Sequence, residues 1–325
     1  MEFGLQLANM EWPRLRDTAQ AAEALGFQAL FVPDHIVAEG PERQFDPHHL
    51  SWDPMVEVAI LSAATKTARV GHLVLCNLFR HPVITAQSLT SLDHLSGGRL
   101  IAGLGTGWTE REFKMTGIPF PEIGERLRML DEALSCIRSL WTKGETTLAG
   151  EFYQLRDAVL WPKPVQQPHP PILLGGGGKG LLRVAAKHAD IVNIISDAGK
   201  PGYIKLANVA KLTDESFRAK TKFLRDEARR HGRDPKKIQI SNVIFSTVIT
   251  DSAAATQAMA EGMAPMFQTT PEGMLHSPMA LIGTPEQCIA ELQRRQREWD
   301  VSQVVFSFAG DDPMRRLAQD VLPHV

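Results

Sequence analysis

The stretch from Arg69 to Trp108, RVGHLVLCNLFRHPVITAQSLTSLDHLSGGRLIAGLGTGW, limits the possible folds more than any other part of the chain. Two apolar runs, at 70–76 and 100–104, bracket a helical pattern at 83–95. Each run stops at residues unsuited to a strand interior. Asn77-Leu78-Phe79-Arg80-His81-Pro82 follows the first, and Gly105-Thr106-Gly107 follows the second. The order is β, loop, α, β, loop, with polar and glycine-rich residues at the carboxyl ends of the strands. Parallel α/β folds bind their ligands at that edge.

The same alternation runs through the whole chain. Further β runs at 3–7, 29–32, 171–174, 191–195, 238–249 and 303–308 bring the strand count to eight. Between them lie helical patterns at 15–25, 53–65, 123–141, 181–186, 215–230 and 285–299, with a last one at 314–322. Asp53 is placed to cap its helix, with Pro54 at the first helical position. Eight parallel strands with outer helices predict a (β/α)8 TIM barrel with insertions, and a doubly wound open sheet is the alternative. Residues 144–168 break the rhythm with a small hairpin and a connector carrying Pro162, Pro164 and Pro168. Since the alternation resumes at once, they read as an excursion inside one domain spanning 1–325.

Apolar residues make up 43% and charged ones 22%, enough for a large core and too mixed for a membrane protein. No run approaches the roughly 18 apolar residues of a membrane span. The amino terminus reads as a strand rather than a signal peptide. A net charge of −2 gives no reason to expect a nucleic-acid partner. Cys76, Cys136 and Cys288 are far apart and make no metal-type spacing. His48-His49 and His72 offer no metal set either, so no metal is expected. No serine-elbow or Walker motif occurs. A soluble protein of a reducing cytoplasm is the expectation.

Two glycine loops follow strands: Gly103-Leu-Gly105-Thr-Gly107 and Gly175-Gly176-Gly177-Gly178-Lys-Gly180. Glycine lets backbone approach a ligand closely, and a helix start offers free N–H groups to a phosphate. The second loop also satisfies G-x-G-x-x-G, with Asp197 about 20 residues on. Four strand units precede it, however, and a dinucleotide domain would begin near its fingerprint. In a barrel the same loop makes a phosphate site for any phosphorylated cofactor. Tight turns alone are the other reading. Among polar residues at strand ends, His35 beside Asp34 can act as a general acid or base, although Asp34 can also simply cap a turn. Arg80 can grip an anion or brace the mouth through an ion pair. Trp108 can face a flat cofactor, while Trp52 reads as packing.

The ordered set of these segments resembles the bacterial luciferase-like monooxygenase superfamily, and most closely its coenzyme F420-dependent oxidoreductase branch. The carrying residues are Phe31-Val-Pro-Asp-His35, Val74-Leu-Cys-Asn-Leu-Phe-Arg-His-Pro82, Leu92-Asp-His-Leu-Ser-Gly-Gly-Arg99 and Gly103-Leu-Gly-Thr-Gly-Trp108. Pro162-Lys-Pro-Val-Gln166, the Gly175–Gly178 loop with Leu182-Arg-Val-Ala-Ala186, and Ile282-Gly-Thr-Pro285 complete it. The resemblance implies a barrel whose mouth binds F420, a deazaflavin, or alternatively FMN. It implies that Gly175, Gly176, Gly177 and Gly178 hold the cofactor phosphate. Gly105, Thr106 and Gly107, with Trp108, would line the ring or ribityl side. Leu73 and Val74 would supply a non-prolyl cis peptide under the ring, there or one or two bonds on, with Cys76, Asn77 and Arg80 beyond it. Proton transfer falls to His35, with Asp34 beside it.

The sugar-phosphate dehydrogenase branch has a glutamate where this chain has Trp108, which argues against that substrate. The activity implied is hydride transfer between deazaflavin C5 and a small organic substrate by a cytoplasmic homodimer. The alternatives are an FMN monooxygenase served by a separate flavin reductase, a non-catalytic flavin-binding protein, and a metal-free barrel lyase or isomerase acting on a phosphorylated substrate. Substrate choice would lie in the loops 36–52, 110–121, 197–212 and 262–281. Phe113, Met115, Met263, Met266, Phe267 and Met274 would form an apolar pocket there if they turn inward.

Overall fold

The computed structural model describes residues 1–8, 10–37, 48, 50–196, 210–308 and 310–325. The chain runs through β1 (Glu2–Gln6), α1 (Trp12–Ala24), β2 (Ala29–Val32), α2 (Pro54–Ala64), β3 (Arg69–His72), β4 (Leu75–Cys76), α3 (Pro82–Ser96) and β5 (Leu100–Gly105). Next come α4 (Glu110–Thr116), α5 (Ile123–Thr142), β6 (Thr146–Ala149), β7 (Gln154–Ala158), β8 (Ile172–Gly175), α6 (Lys179–His188) and β9 (Ile191–Ile194). The remainder is α7 (Asp214–Arg230), β10 (Gln239–Ile244), β11 (Ser246–Ile249), α8 (Ala253–Met263), α9 (Pro271–Leu275), β12 (Ala280–Gly283), α10 (Pro285–Trp299), β13 (Val301–Ser307) and α11 (Asp311–Asp320).

Eight parallel staves close into a barrel. The strand order is β3-β2-β1-β13-β10-β9-β8-β5-β4, and β3 also pairs with β5, Val70 against Leu100, which seals the ring. That closure excludes the open-sheet alternative. The third stave is made of two pieces, β3 and β4, and the Leu73–Val74 peptide between them is a non-prolyl cis bond. β6 and β7 form an antiparallel hairpin apart from the barrel, within the 144–168 excursion.

Side-chain alternation sorts the strand residues into two cores. Ala29, Phe31, Ile101, Leu173, Ile191, Val243 and Val305 fill the barrel interior. Their chain neighbours, such as Leu30, Val32, Leu100, Leu174, Val192 and Val304, pack outward against the helices in a larger cluster. α5 lays Leu130, Leu134, Ile137 and Leu140 into that layer, each 0–1% exposed. Burial of this kind stabilises by about 1.5–3 kcal/mol per side chain. Asp53 caps α2 as its position predicts, accepting from the Met55 amide at 2.8 Å.

One predicted strand is wrong in extent. The run at 238–249 divides at Phe245, which is 47% exposed. β10 stays in the barrel, whereas β11 leaves it and pairs in parallel with β12, a strand that begins at the end of what reads as a loop at 262–281. Among the described residues no helix is long and apolar enough to cross a membrane.

Candidate active site

Every residue singled out at a strand end lies at the carboxyl edge of the barrel or in the loop that follows, because all eight staves point the same way. The floor of the mouth is Val74. Its side chain packs on the barrel-interior cluster and faces glycines of two neighbouring staves. A methyl group on Gly105 would lie 2.7 Å from Val74 Cγ2, so β5 must carry glycine there for the residue to seat. The Leu73 carbonyl of the cis peptide accepts a hydrogen bond from Gln6 Nε2 at 3.1 Å.

Asp34 and His35, adjacent in sequence, have different partners. The Asp34 carboxylate accepts from Arg80 Nη1 at 2.6 Å and from the Cys76 amide at 2.9 Å. Burial pushes this carboxyl up from its ordinary value, and Arg80 and the Cys76 amide pull against it. Burial alone would lower the Arg80 guanidinium, but Asp34 and Asp53 outweigh it and carry it up. Arg80 also reaches Asp53 at 3.2 Å, so its charge is committed to two carboxylates that brace the mouth. Burial also drives the Cys76 thiol up to about 12. Asn77 is buried, and its Nδ2 donates to the Tyr153 hydroxyl of the hairpin at 3.3 Å.

The imidazole of His35 turns the other way. Its Nδ1 lies 3.1 Å from Glu112 Oε1, a carboxylate with a side chain only 3% exposed. The same oxygen accepts from the Ile36 and Val37 amides at 2.7 and 3.3 Å. Trp108 stands edge-on to the His35 ring, with centroids 5.5 Å apart and planes at 79°. Glu112 is the residue that the sequence reading misses. Thr109-x-x-Glu112 has the spacing of a capping box, but Thr109 makes no side-chain cap on α4, and Glu112 reaches across to the β2 loop instead.

Each glycine loop is braced by a cation from a later helix. Arg126 Nη1 donates to the Gly107 carbonyl at 2.5 Å, and Lys220 Nζ donates to the Gly177 carbonyl at 2.6 Å. The Gly176 amide donates to Asn193 O at 3.0 Å, and a side chain on Gly177 would collide with the Ile195 carbonyl. Gly178 starts α6 with no side-chain cap, so the first amides of that helix remain for an outside acceptor.

The six apolar residues that would line a pocket if they turned inward do not come together. Phe113 is buried beneath the mouth and stacks on Phe120 at 4.3 Å, whereas Met115 and Met266 are 56% and 62% exposed. Met274 is buried in a separate cluster around β12, and Met263 and Phe267 pack on that cluster. Trp52 packs on Trp12 with centroids 4.4 Å apart. Asp197, His49, the loop 36–52 over residues 38–47, and most of 197–212 lie outside the described residues.

The profile of the luciferase-like monooxygenases matches residues 2–302 of the chain. This protein belongs to the luciferase-like monooxygenase family. Among relatives of the chain, the F420-dependent glucose-6-phosphate dehydrogenase of Amycolatopsis mediterranei is 28% identical over 321 residues. That alignment takes in 95% of this chain and 93% of the relative. The coenzyme F420-dependent tetrahydromethanopterin reductase of Methanopyrus kandleri has the same fold, with a TM-score of 0.75 and 19% identity over 99% of both chains. The long-chain alkane monooxygenase LadA also shares it, with a TM-score of 0.77 and 18% identity over 99% of this chain and 89% of that one.

Proposed function

We propose that the protein is an oxidoreductase that moves a hydride between C5 of coenzyme F420 and a small organic substrate held in the barrel mouth. The observation that carries this reading is the glycine-lined cradle around Val74. It joins a flat floor, bordered by Gly105 and Gly175, to a loop that opens onto the uncapped start of α6. A ring with a phosphate-bearing tail fits this donor set. Leu73 and Val74 would lie under the ring, and Gly105, Thr106, Gly107 and Trp108 beside it. Cys76, Asn77, Asp34 and Arg80 hold the wall behind. Gly175, Gly176, Gly177 and Gly178 would present backbone to the phosphate, with Lys220 fixing the loop from behind. The full-length likeness to an F420-dependent dehydrogenase supports this cofactor.

A bound deazaflavin supplies a two-electron hydride centre that does not readily pass single electrons to oxygen. The protein's part is orientation and proton handling. His35, 30% exposed at the mouth, takes up or returns the substrate proton at a ring nitrogen. Trp108 walls that space with an apolar ring where a sugar-phosphate dehydrogenase has a carboxylate, so we read the substrate as something other than a sugar phosphate. We place the protein in the cytoplasm as a homodimer, on the family resemblance. Sedimentation at micromolar concentration checks the dimer, and a monomer there would remove it.

The deciding experiment is a fluorescence titration of the purified protein with F420 and, in parallel, with FMN. Tight F420 binding with weak FMN binding is the expected result. A preference for FMN would instead indicate a monooxygenase that depends on a separate flavin reductase. Binding of neither would remove the cofactor reading.

A further inference from the structure

We infer that Glu112 is a positioning residue that fixes which nitrogen of His35 carries the hydrogen, and so which nitrogen handles the substrate proton. The inference rests on the reading of His35 as the proton carrier. Glu112 sits at the third position of α4, 77 residues from His35, and its side chain is 3% exposed. Its Oε1 faces three nitrogens of one short segment: His35 Nδ1 at 3.1 Å and the amides of Ile36 and Val37 at 2.7 and 3.3 Å. The two amides can only donate, so the oxygen that gathers them is an acceptor. Nδ1 must therefore be the protonated nitrogen of the neutral ring. That leaves Nε2, with its lone pair, for a ligand in the mouth. The two amide bonds hold the carboxylate in register with the loop, and Trp108, edge-on at 5.5 Å, limits how far the ring can turn. Asp34 takes no part in this, since it is occupied by Arg80 and the Cys76 amide.

This arrangement gives the site a carboxylate despite Trp108. The group comes from the first turn of α4, four residues beyond Trp108, and acts through His35. An unpartnered histidine side chain favours the Nε2–H form, so the inference predicts a reversal that does not depend on cofactor or substrate.

The test is long-range proton–nitrogen NMR of the imidazoles in the full chain without added coenzyme. The His35 signal is assigned by its loss in His35→Ala. Neutral wild-type His35 should be mainly the Nδ1–H tautomer. Glu112→Ala should shift the tautomer ratio toward Nε2–H by about tenfold or more, the worth of a hydrogen bond to a charged group. Glu112→Gln, which keeps the volume and a weaker acceptor, should shift it part of the way and serves if the alanine variant does not fold. A wild-type ring that is mainly Nε2–H would overturn the inference, as would a ratio unchanged in the folded variants. Failure of the cofactor reading would show separately, as absent F420 binding by the wild-type protein.

Discussion

Gly177 carries the strictest demand in the Gly175–Gly178 loop. A side chain there would run into the Ile195 carbonyl and crowd Lys220 Nζ, which holds the Gly177 carbonyl at 2.6 Å. Gly177→Val therefore displaces the loop, which lies beyond the end of β8. F420 binding should weaken by at least about tenfold, or 1.4 kcal/mol, with the far-ultraviolet circular dichroism unchanged. Unaltered affinity would mean that the phosphate binds elsewhere. At the same scale, Asp34 and His35 show what a linear sequence hides. Successive residues of an extended segment point to opposite sides, so a D-H pair is a poor guide to contact. Asp34 meets Arg80, 46 residues on, while His35 meets Glu112, and neither carboxylate serves both roles. Glu112 itself carries a helix-start signature that is ordinary in sequence. Only the fold shows that it serves another strand's loop.

Among the elements, α10 holds the β11–β12 pair that the sequence conceals. Arg295 is fully buried. It donates to Asn242 Oδ1 of β10 at 3.0 Å and to the carbonyls of Ser277, Pro278 and Ala280 at 3.1, 3.0 and 2.6 Å. Glu291 balances its charge at 2.8 Å. One side chain thus pins the segment before β12 to the barrel wall. Removing it leaves Asn242 Oδ1 and three buried carbonyls without their donor, while Glu291 keeps Arg294 at 2.7 Å, and each unmet buried acceptor costs about 1–3 kcal/mol. Arg295→Ala should lower the urea midpoint accordingly, and a loss under about 1 kcal/mol would mean that β12 is held by its apolar cluster alone. No residue pattern announces this arrangement. β12 is four residues long, and the run at 238–249 mixes apolar and small polar residues on both sides of Phe245, so periodicity cannot mark the break there. The strands at 29–32 and 100–104 are legible for the opposite reason, since each is buried and stops at a sharp turn signal.

For the molecule as a whole, the barrel is readable because its logic is repetitive. Strand and helix alternate, and every loop of one kind falls on one edge. What repetition does not reveal is how charges are distributed once the staves close. Glu57 on α2 is 4% exposed and lies near Asp53. Burial, with the Asp53 charge adding to it, raises its carboxyl from 4.5 to about 7. Between those values the folded chain holds a proton that the unfolded chain has released. Stability must therefore fall as pH rises from 4.5 to about 7, and the full penalty persists above that. The shift caps the effect at about 3 kcal/mol. Glu57→Gln keeps the shape without the charge. It should raise stability by about 1–3 kcal/mol at pH 8 and leave it nearly unchanged at pH 4, as read from urea unfolding at both values. An equal effect at the two pH values would mean that the variant acts through packing. No effect at pH 8 would mean that Glu57 ionises in the folded protein as freely as in the unfolded chain.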